Sequence, residues 1–229
     1  MVYLDIKIKY AHSSNFNKLK NKQNKYIVIH FTANDGDTDE GNGSYFSRPN
    51  IKSSAHCFVD EDSVTQSVRF EDVAWHCGAN KYYHPYCRNF NSIGIEMCSD
   101  KNKGVYYISD ETVDRTIELT KYVMKKYNIP VENVLRHFDV THKNCPEPFV
   151  RNERLWIKFK ERLQQDNVKK EEEEEMVKRY NTYKEIPEWG KSAVSTLINK
   201  NAFADVNKLD LTDDMIRMFV FMKRADLLK

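Results

Sequence analysis

The stretch Tyr26-Ile-Val-Ile-His30-Phe31 is apolar except at one position, and this pattern predicts a strand buried in the middle of a sheet. The exception is His30, close to the carboxyl end of the predicted strand. A sheet holds its backbone rigidly, so a histidine at that point is well placed to bind a metal ion. A tight site there needs further ligands from distant parts of the sequence.

A second stretch, Arg136-His-Phe-Asp-Val-Thr-His-Lys-Asn-Cys-Pro146, supplies such ligands. Zn²⁺ prefers imidazole and thiolate, and the proline after Cys145 restricts the backbone to a defined, irregular path. We therefore expect His30, His137 and Cys145 to bind zinc, with His142 as the alternative to His137. Three protein ligands leave the fourth tetrahedral position open, which is typical of catalytic zinc sites.

Hydrophobic periodicity predicts an α/β domain around these residues. Strands are predicted at residues 5–9, 26–31, 54–60, 63–68 and 91–97. A helix is predicted to begin after Ser109 and to stop at Asn128, and a later helix contains Trp156 and Phe159. Residues 33–43 are rich in Asp, Asn and Gly and are predicted to form a solvated loop, with a short helix beginning at Tyr45.

Five motifs occur in order along the first two thirds of the chain. They are Tyr26-Ile-Val-Ile-His-Phe-Thr32, Ser54-Ala-His-Cys-Phe-Val-Asp60, Val73-Ala-Trp-His-Cys-Gly78, Asn91-Ser-Ile-Gly-Ile-Glu-Met97 and the stretch from Arg136 to Pro146. Together they resemble the zinc N-acetylmuramoyl-L-alanine amidases, the family that includes phage endolysins and the peptidoglycan recognition proteins. The resemblance implies a mixed central β-sheet flanked by helices, and a zinc ion bound by His30, His137 and Cys145.

Glu96 is the candidate general base. Alternation along residues 91–97 places Glu96 on the same face as Ser92 and Gly94, where small side chains leave room for a ligand. It would take the proton of the attacking water and return it to the leaving amine, and the matching Glu has this role in the phage amidases that the sequence resembles. Lys143 is the candidate for stabilising the oxyanion that develops on the substrate.

One position departs from the family pattern. Many relatives place a Tyr before the His of the second strand, where it assists catalysis, and here that position is Ala55. The scheme with Glu96 and Lys143 is therefore favoured over one with a Tyr and a Lys. His56 is then expected to pack or to support a metal ligand.

The resemblance implies hydrolysis of the amide between N-acetylmuramic acid and L-alanine in peptidoglycan, with Trp75 and His76 lining the substrate groove. One alternative is a recognition module that binds peptidoglycan without cutting it. Such proteins commonly lack the Cys ligand, whereas Cys145 is present. The other alternative is a zinc amidase that acts on anhydro-muropeptides in recycling, and a wall-binding tail would argue against it.

Composition excludes several other classes of protein. The 36 basic and 34 acidic residues nearly balance, so a nucleic-acid partner is not expected. No apolar run approaches the ~20 residues needed to span a bilayer, and the opening Met1-Val-Tyr-Leu-Asp5 lacks the basic region of a signal peptide. We expect synthesis in the cytoplasm and action on the wall once the membrane is opened, as in a phage or prophage lysin.

The sequence leaves open whether Cys77 and Cys87 form a disulfide bond.

The last quarter of the chain differs in composition. We assign residues 1–168 to the catalytic domain, 169–178 to a charged linker and 179–229 to a small, mainly helical domain. Helices are predicted after Ile186 and after Leu211, the second with an apolar face of Met215, Met218, Phe219 and Met222. So small a core favours association with another copy or with the catalytic domain. The tail resembles the S-layer-homology-like wall-binding modules of phage lysins.

The run of five Glu residues before Met176 suggests an internal translation start, because Glu codons are purine-rich and can act as a ribosome-binding sequence. The product would be a free wall-binding tail that assembles with full-length chains. The alternative is an ordinary solvated charge run.

An internal start predicts that expression yields a second, smaller band beside the full-length chain. Replacing Met176 by Leu removes the start codon and should abolish that band without changing the larger one. Gel electrophoresis of the two expressed proteins is the measurement, and a small band that persists in the variant would contradict the hypothesis.

Overall fold

The computed structural model describes residues 4, 6–176 and 178–228, and for residues 166–176 it describes the backbone alone. The chain divides into two compact units, Met1–Gln165 and Asp166–Lys229. The assignment of catalysis, linker and wall binding to residues 1–168, 169–178 and 179–229 stays a prediction. The side chain of Met176 lies outside the described residues, as does Asp5 of the first predicted strand.

The first unit contains ten strands and the helices that cover them in the part of the chain that the structure describes. The strands are β1 (Ile6–Ile8), β2 (Phe16–Asn17), β3 (Tyr26–Phe31), β4 (Cys57–Val59), β5 (Val64–Gln66), β6 (Val73–Ala74), β7 (Ser92–Met97), β8 (Asp100–Asn102), β9 (Val105–Tyr107) and β10 (Val134–Arg136). The α-helices are α1 (Asp39–Phe46), α2 (Asp110–Tyr127), α3 (His137–Thr141), α4 (Glu147–Arg151) and α5 (Glu153–Met176), of which α5 continues past the unit boundary.

Six of these strands form the central sheet, in the order β1-β5-β4-β7-β3-β10. The pair β4 and β5 is antiparallel, and every other neighbouring pair is parallel. The predicted α/β class with a mixed central sheet is therefore confirmed. Among the described residues, no helix is long and apolar enough to cross a membrane.

Strand β3 lies between β7 and β10, and all six of its residues are buried. The parallel register with β7 pairs His30 with Glu96. The register with β10 pairs Ile29 with Arg136, so the residue that follows β10 is His137, level with His30. Because parallel strands end at the same edge of a sheet, side chains from distant parts of the sequence meet there.

The core of the first unit lies between the sheet and the helices α2 and α5. Helix α2 begins and ends as predicted, because the Ser109 side chain accepts a hydrogen bond from the Thr112 amide and Asn128 adopts the left-handed conformation with φ 53°. Helix α5 contributes Trp156 and Phe159 to the same apolar cluster. These contacts hold the sheet, and hence the carboxyl ends of its strands, in one position.

The predicted loop at residues 33–43 is correct up to residue 38 and wrong for residues 39–43, and the predicted helix start at Tyr45 was too late. Helix α1 begins at Asp39 and ends at Phe46. Thr38 caps it by accepting from the Gly41 amide, and the buried Asp39 carboxylate accepts from the hydroxyls of Ser63 and Thr65. The cap and the buried carboxylate outweigh the poor helix propensity of the two glycines in this segment.

The second unit contains the antiparallel pair β11 (Arg179–Tyr180) and β12 (Leu211–Thr212), with helices α6 (Glu188–Asn199) and α7 (Asp213–Arg224). The predicted apolar face of α7 was partly wrong. Ile216 is fully buried, whereas Met215 and Met218 are 45% and 61% exposed. The reason is the close contact with α6 at Gly190, where an added Cβ would lie 2.2 Å from Ile216 Cγ2.

Phe159 offers a test of the core. Its side chain is 1% exposed, so Phe159→Ala should lower the free energy of unfolding by about 3–5 kcal/mol through lost apolar contacts and a cavity. Ile157 on the same helix is 48% exposed, and Ile157→Ala should cost no more than about 0.5 kcal/mol. Urea unfolding followed by circular dichroism measures both, and equal losses would contradict this assignment of the buried helix face.

Candidate metal centre and active site

Three side chains from distant parts of the sequence meet at the carboxyl edge of the sheet. His30 lies on β3, His137 is the first residue of α3 directly after β10, and Cys145 lies in the loop after α3. One ligand atom from each residue lies within 4.8 Å of the other two, and all three residues are buried. The structure thus brings together the three predicted zinc ligands.

The loop after α3 holds Cys145 close to His137. The Phe138 amide donates to the Cys145 carbonyl at 2.8 Å, and the Cys145 amide donates to the Lys143 carbonyl at 2.7 Å. His142 ends α3 in the left-handed conformation, and its amide donates to the Phe138 carbonyl. These backbone hydrogen bonds turn the chain back on itself, so both ligands face the end of β3.

The donor atoms of the cluster fit a divalent cation such as zinc. Cys145 Sγ lies 3.8 Å from His30 Nδ1. His137 Nδ1 is buried without a hydrogen-bond partner among the described residues, although a buried polar atom normally has one. A metal ion is the partner that this set of two imidazoles and one thiol selects.

Burial decides the protonation of the three groups. It lowers the pKa of His137 to about 3 and that of His30 well below its ordinary value, so both rings are neutral at pH 7 and keep a lone pair for a ligand. Burial also raises the pKa of the Cys145 thiol to about 12. A divalent cation would reverse that last effect, because thiolate is the form that binds metal.

Glu96 lies beside the cluster, with Oε1 3.8 Å from His30 Nδ1. Its Oε2 atom is buried and has no hydrogen-bond partner among the described residues. Burial raises the pKa of Glu96 to about 8, while the nearby positive charge of Lys143 lowers it and the negative charge of Asp37 raises it further. A carboxyl group with one unpartnered oxygen and a raised pKa is suited to accept and return a proton.

Lys143 is exposed at the edge of this cluster. Its charge lowers the pKa of His30, of His137 and of Glu96, so the ammonium group is close enough to act on all three. The next residue back, His142, is exposed and stacks on Tyr83, with ring centroids 3.5 Å apart. The structure therefore places His137, and not its alternative His142, in the cluster.

Comparison with known proteins agrees with this geometry. The family model described as N-acetylmuramoyl-L-alanine amidase matches residues 20–148, which is more than half of the chain. The chain belongs to this amidase family. The matched residues include all three side chains of the cluster and also Glu96 and Lys143.

Two curated amidases illustrate the similarity. BlyA from Bacillus subtilis is 34% identical in an alignment of 152 residues, and the match covers 61% of this chain and 41% of that protein. CwlL from Bacillus licheniformis is 32% identical in an alignment of 148 residues, and the match covers 61% of this chain and 40% of that protein. The chain thus spans about two fifths of the length of these relatives.

Two solved structures are similar in fold. The catalytic domain of PlyG has a TM-score of 0.60 at 30% identity, covering 72% of this chain and 96% of that domain. A mutant endolysin from Bacillus subtilis has a TM-score of 0.59 at 26% identity, covering 70% of this chain and 99% of that one.

The substrate-binding role predicted for Trp75 and His76 stays a prediction for this amidase. His76 is 9% exposed, and its Nδ1 lies 3.0 Å from His30 Nε2, on the opposite side of the His30 ring from Cys145. Trp75 is half-buried, and its backbone hydrogen-bonds with Ser54. The sequence did not predict the contact between the two histidines. The feature of the sequence that could have indicated this contact is Gly94, which leaves the space that the His76 ring fills.

His56 is fully buried in the first unit and is not one of the three residues of the cluster, and its ring contacts that of His76. Its Nδ1 accepts from the Gly94 amide at 2.9 Å, and Lys22 Nζ lies 3.0 Å from its Nε2. Lys22 also contacts the carbonyl oxygens of Asp72 and Ser92, and burial lowers the pKa of Lys22 to about 7. The sequence missed this lysine, because the polar residues around it give no sign of burial.

Cys77 and Cys87 are free thiols in the structure, both fully buried. Both belong to the same buried cluster, and the Cys77 thiol donates to Asn89 Oδ1 at 3.2 Å. The two residues thus lie side by side in the reduced state.

The cluster predicts that the purified chain contains roughly one zinc ion. Cys145→Ser and His137→Ala each remove a ligand and should lower the zinc content strongly, measured by elemental analysis after gel filtration. His142→Ala is the matched control, because this histidine lies in the same loop but stacks on Tyr83. Wild-type protein without zinc, or equal loss in the control, would contradict the site.

Proposed function

We propose that this chain hydrolyses the amide between N-acetylmuramic acid and L-alanine in bacterial peptidoglycan, using zinc bound by His30, His137 and Cys145. The observation that carries the proposal is the cluster of three ligand atoms within 4.8 Å next to an unpartnered carboxylate oxygen of Glu96. Membership of the amidase family supports the choice of bond.

The bound zinc would supply a Lewis acid that activates water and polarises the amide carbonyl. Glu96 provides the proton transfers that the hydrolysis requires. Its Oε2 accepts a proton from the attacking water and later gives that proton to the nitrogen of L-alanine as the C–N bond breaks. The positive charge of a cation at the three ligands would lower the pKa of Glu96, so the carboxylate is ionised and can accept a proton when the water attacks the amide carbonyl.

Lys143 stabilises the negative charge that develops on the carbonyl oxygen. Its exposed ammonium group lies near Glu96 and both histidines, where its charge reaches the reacting atoms. Trp75, which is half-buried and precedes His76 in the chain, is proposed to contact the glycan or the stem peptide together with His76.

The biological setting that fits is a phage or prophage endolysin. One matched structure is described as an endolysin, which supports this role. In this setting the chain is made in the cytoplasm, acts on the wall after the membrane is opened, and binds the wall through its second unit. Association with another copy, or with a fragment that begins at Met176, belongs to the same proposal.

Glu96→Gln should lower the rate of wall cleavage by about 10²–10⁴-fold while zinc content is unchanged, because the amide cannot accept the proton. Lys143→Met should lower it by roughly 10²-fold through the lost oxyanion contact. The measurement is the number of new L-alanine amino termini released from purified wall, with and without a chelator.

Matched controls come from exposed residues of helix α5. Glu161→Gln and Lys158→Met make the same chemical changes away from the cluster and should leave the rate unchanged. Binding of wall without new amino termini would favour a recognition module, and cleavage of soluble muropeptides without cleavage of intact wall would favour recycling.

A further inference from the structure

One ring nitrogen of the proposed metal ligand His30 faces the cluster, and the other begins a chain of buried hydrogen bonds. His30 Nε2 lies 3.0 Å from His76 Nδ1, and His76 Nε2 lies 3.1 Å from Ser92 Oγ. Ser92 Oγ in turn lies 2.7 Å from the carbonyl oxygen of Arg88. We call His30, His76 and Ser92 the histidine–serine network. All three side chains are buried, so water does not compete for these hydrogen bonds.

The position of each proton in the network follows from its last member. The Arg88 carbonyl can only accept, so the 2.7 Å contact requires the hydroxyl proton of Ser92 to point at it. Ser92 Oγ then has only lone pairs left for His76, and His76 Nε2 must be the donor.

The proton position on His30 follows from that on His76. A neutral imidazole has one protonated nitrogen, so His76 Nδ1 is an acceptor and His30 Nε2 must donate to it. His30 Nδ1 is then without a proton. This is the nitrogen that lies 3.8 Å from Cys145 Sγ, on the side of the cluster.

We infer that His76 and Ser92 are positioning residues that hold His30 in the tautomer with a bare Nδ1, ready to bind the metal ion. The inference rests on the proposed function, because it gives His30 a metal to bind. A partner for the far nitrogen of a metal-binding histidine fixes both the tautomer and the orientation of the ring. His30 therefore enters metal binding without a change of proton or of ring position.

Packing holds the network in this arrangement. The His76 ring lies over Gly94 of β7, where an added Cβ would be 2.5 Å from His76 Cγ. The amides of His76 and Cys77 both donate to Asn89 Oδ1, which fixes the backbone on the other side of the ring. The rings of His30 and His56 also contact the His76 ring edge-on, so close packing holds it where its two nitrogens make these hydrogen bonds.

Nuclear magnetic resonance tests the proton positions directly. Long-range ¹H–¹⁵N correlation spectra of the full chain at neutral pH distinguish the two neutral tautomers of each histidine. His76 should be protonated on Nε2 with and without zinc, and His30 should be protonated on Nε2 in the metal-free protein. A proton on Nδ1 of His76, or a metal-free His30 protonated on Nδ1, overturns the inference whatever the zinc affinity is.

Zinc affinity tests the consequence, by competition with a chromogenic chelator. His76→Leu removes the acceptor for His30 and should weaken zinc binding by about 10–100-fold. His76→Asn places an amide oxygen near the former Nδ1 and should restore most of the loss. Ser92→Ala removes the acceptor of His76 and should weaken binding by up to about 10-fold. The d–d absorption of bound Co²⁺ should change in the Leu variant and return towards wild type in the Asn variant.

Ser67→Ala is the matched control for Ser92→Ala, because Ser67 is fully buried, belongs to the same unit and has a hydroxyl without a hydrogen-bond partner among the described residues. It should leave zinc affinity unchanged. If the wild-type protein and His76→Leu bind zinc equally tightly, the inference about the network is overturned and the proposed function stands. Wild-type protein that binds no zinc would overturn the proposed function, and the tautomer spectra then decide the network separately. Circular dichroism confirms that each variant is folded.

Discussion

The parallel pairing of β3 with β7 is the constraint on which the site depends. The register sets His30 opposite Glu96, so the ligand and the proposed base are neighbours before any other contact forms. Pairing of β10 with the other edge of β3 then delivers His137 from a segment more than a hundred residues away. A slip of one residue in either register would turn one of these side chains to the opposite face of the sheet. Backbone hydrogen bonds, and not contacts among the site residues themselves, therefore decide which groups meet.

Burial shifts the pKa values of the groups in the cluster, and it also lowers the stability of the fold because these groups lose hydration. Two neutral imidazoles, a protonated thiol and a carboxyl group with a raised pKa lie together in a place that water hardly reaches. Each has lost hydration, and the buried Glu96 Oε2 and His137 Nδ1 have gained no hydrogen-bond partner from the described residues. A divalent cation bound here would offset part of that cost, so metal binding would also stabilise the fold.

Sequence reasoning predicted the parts of this arrangement that depend on residue type and periodicity. The apolar run of β3 and the Ser109 cap of α2 are local signals that predicted an α/β domain, whereas the mixed central sheet was implied by the resemblance to the amidase family. The start of helix α1 was predicted at Tyr45 instead of Asp39, because it depends on a buried carboxylate that accepts from Ser63 and Thr65, before and within strand β5. The contact of His76 with His30 was missed for a similar reason, since it requires a loop to cross β7 at Gly94. Such pairings arise from tertiary structure, and no short stretch of sequence encodes them.

Gly94 shows that a residue outside the three-ligand cluster can govern how the proposed metal ligands are arranged. It has no side chain to offer, yet the empty space above its Cα is what admits the imidazole behind His30. Even a single methyl group there would push that ring outward and tilt the ligand in front of it. A side chain at this position would thus change the arrangement of the proposed ligands through shape alone, with His30, His137 and Cys145 themselves unchanged.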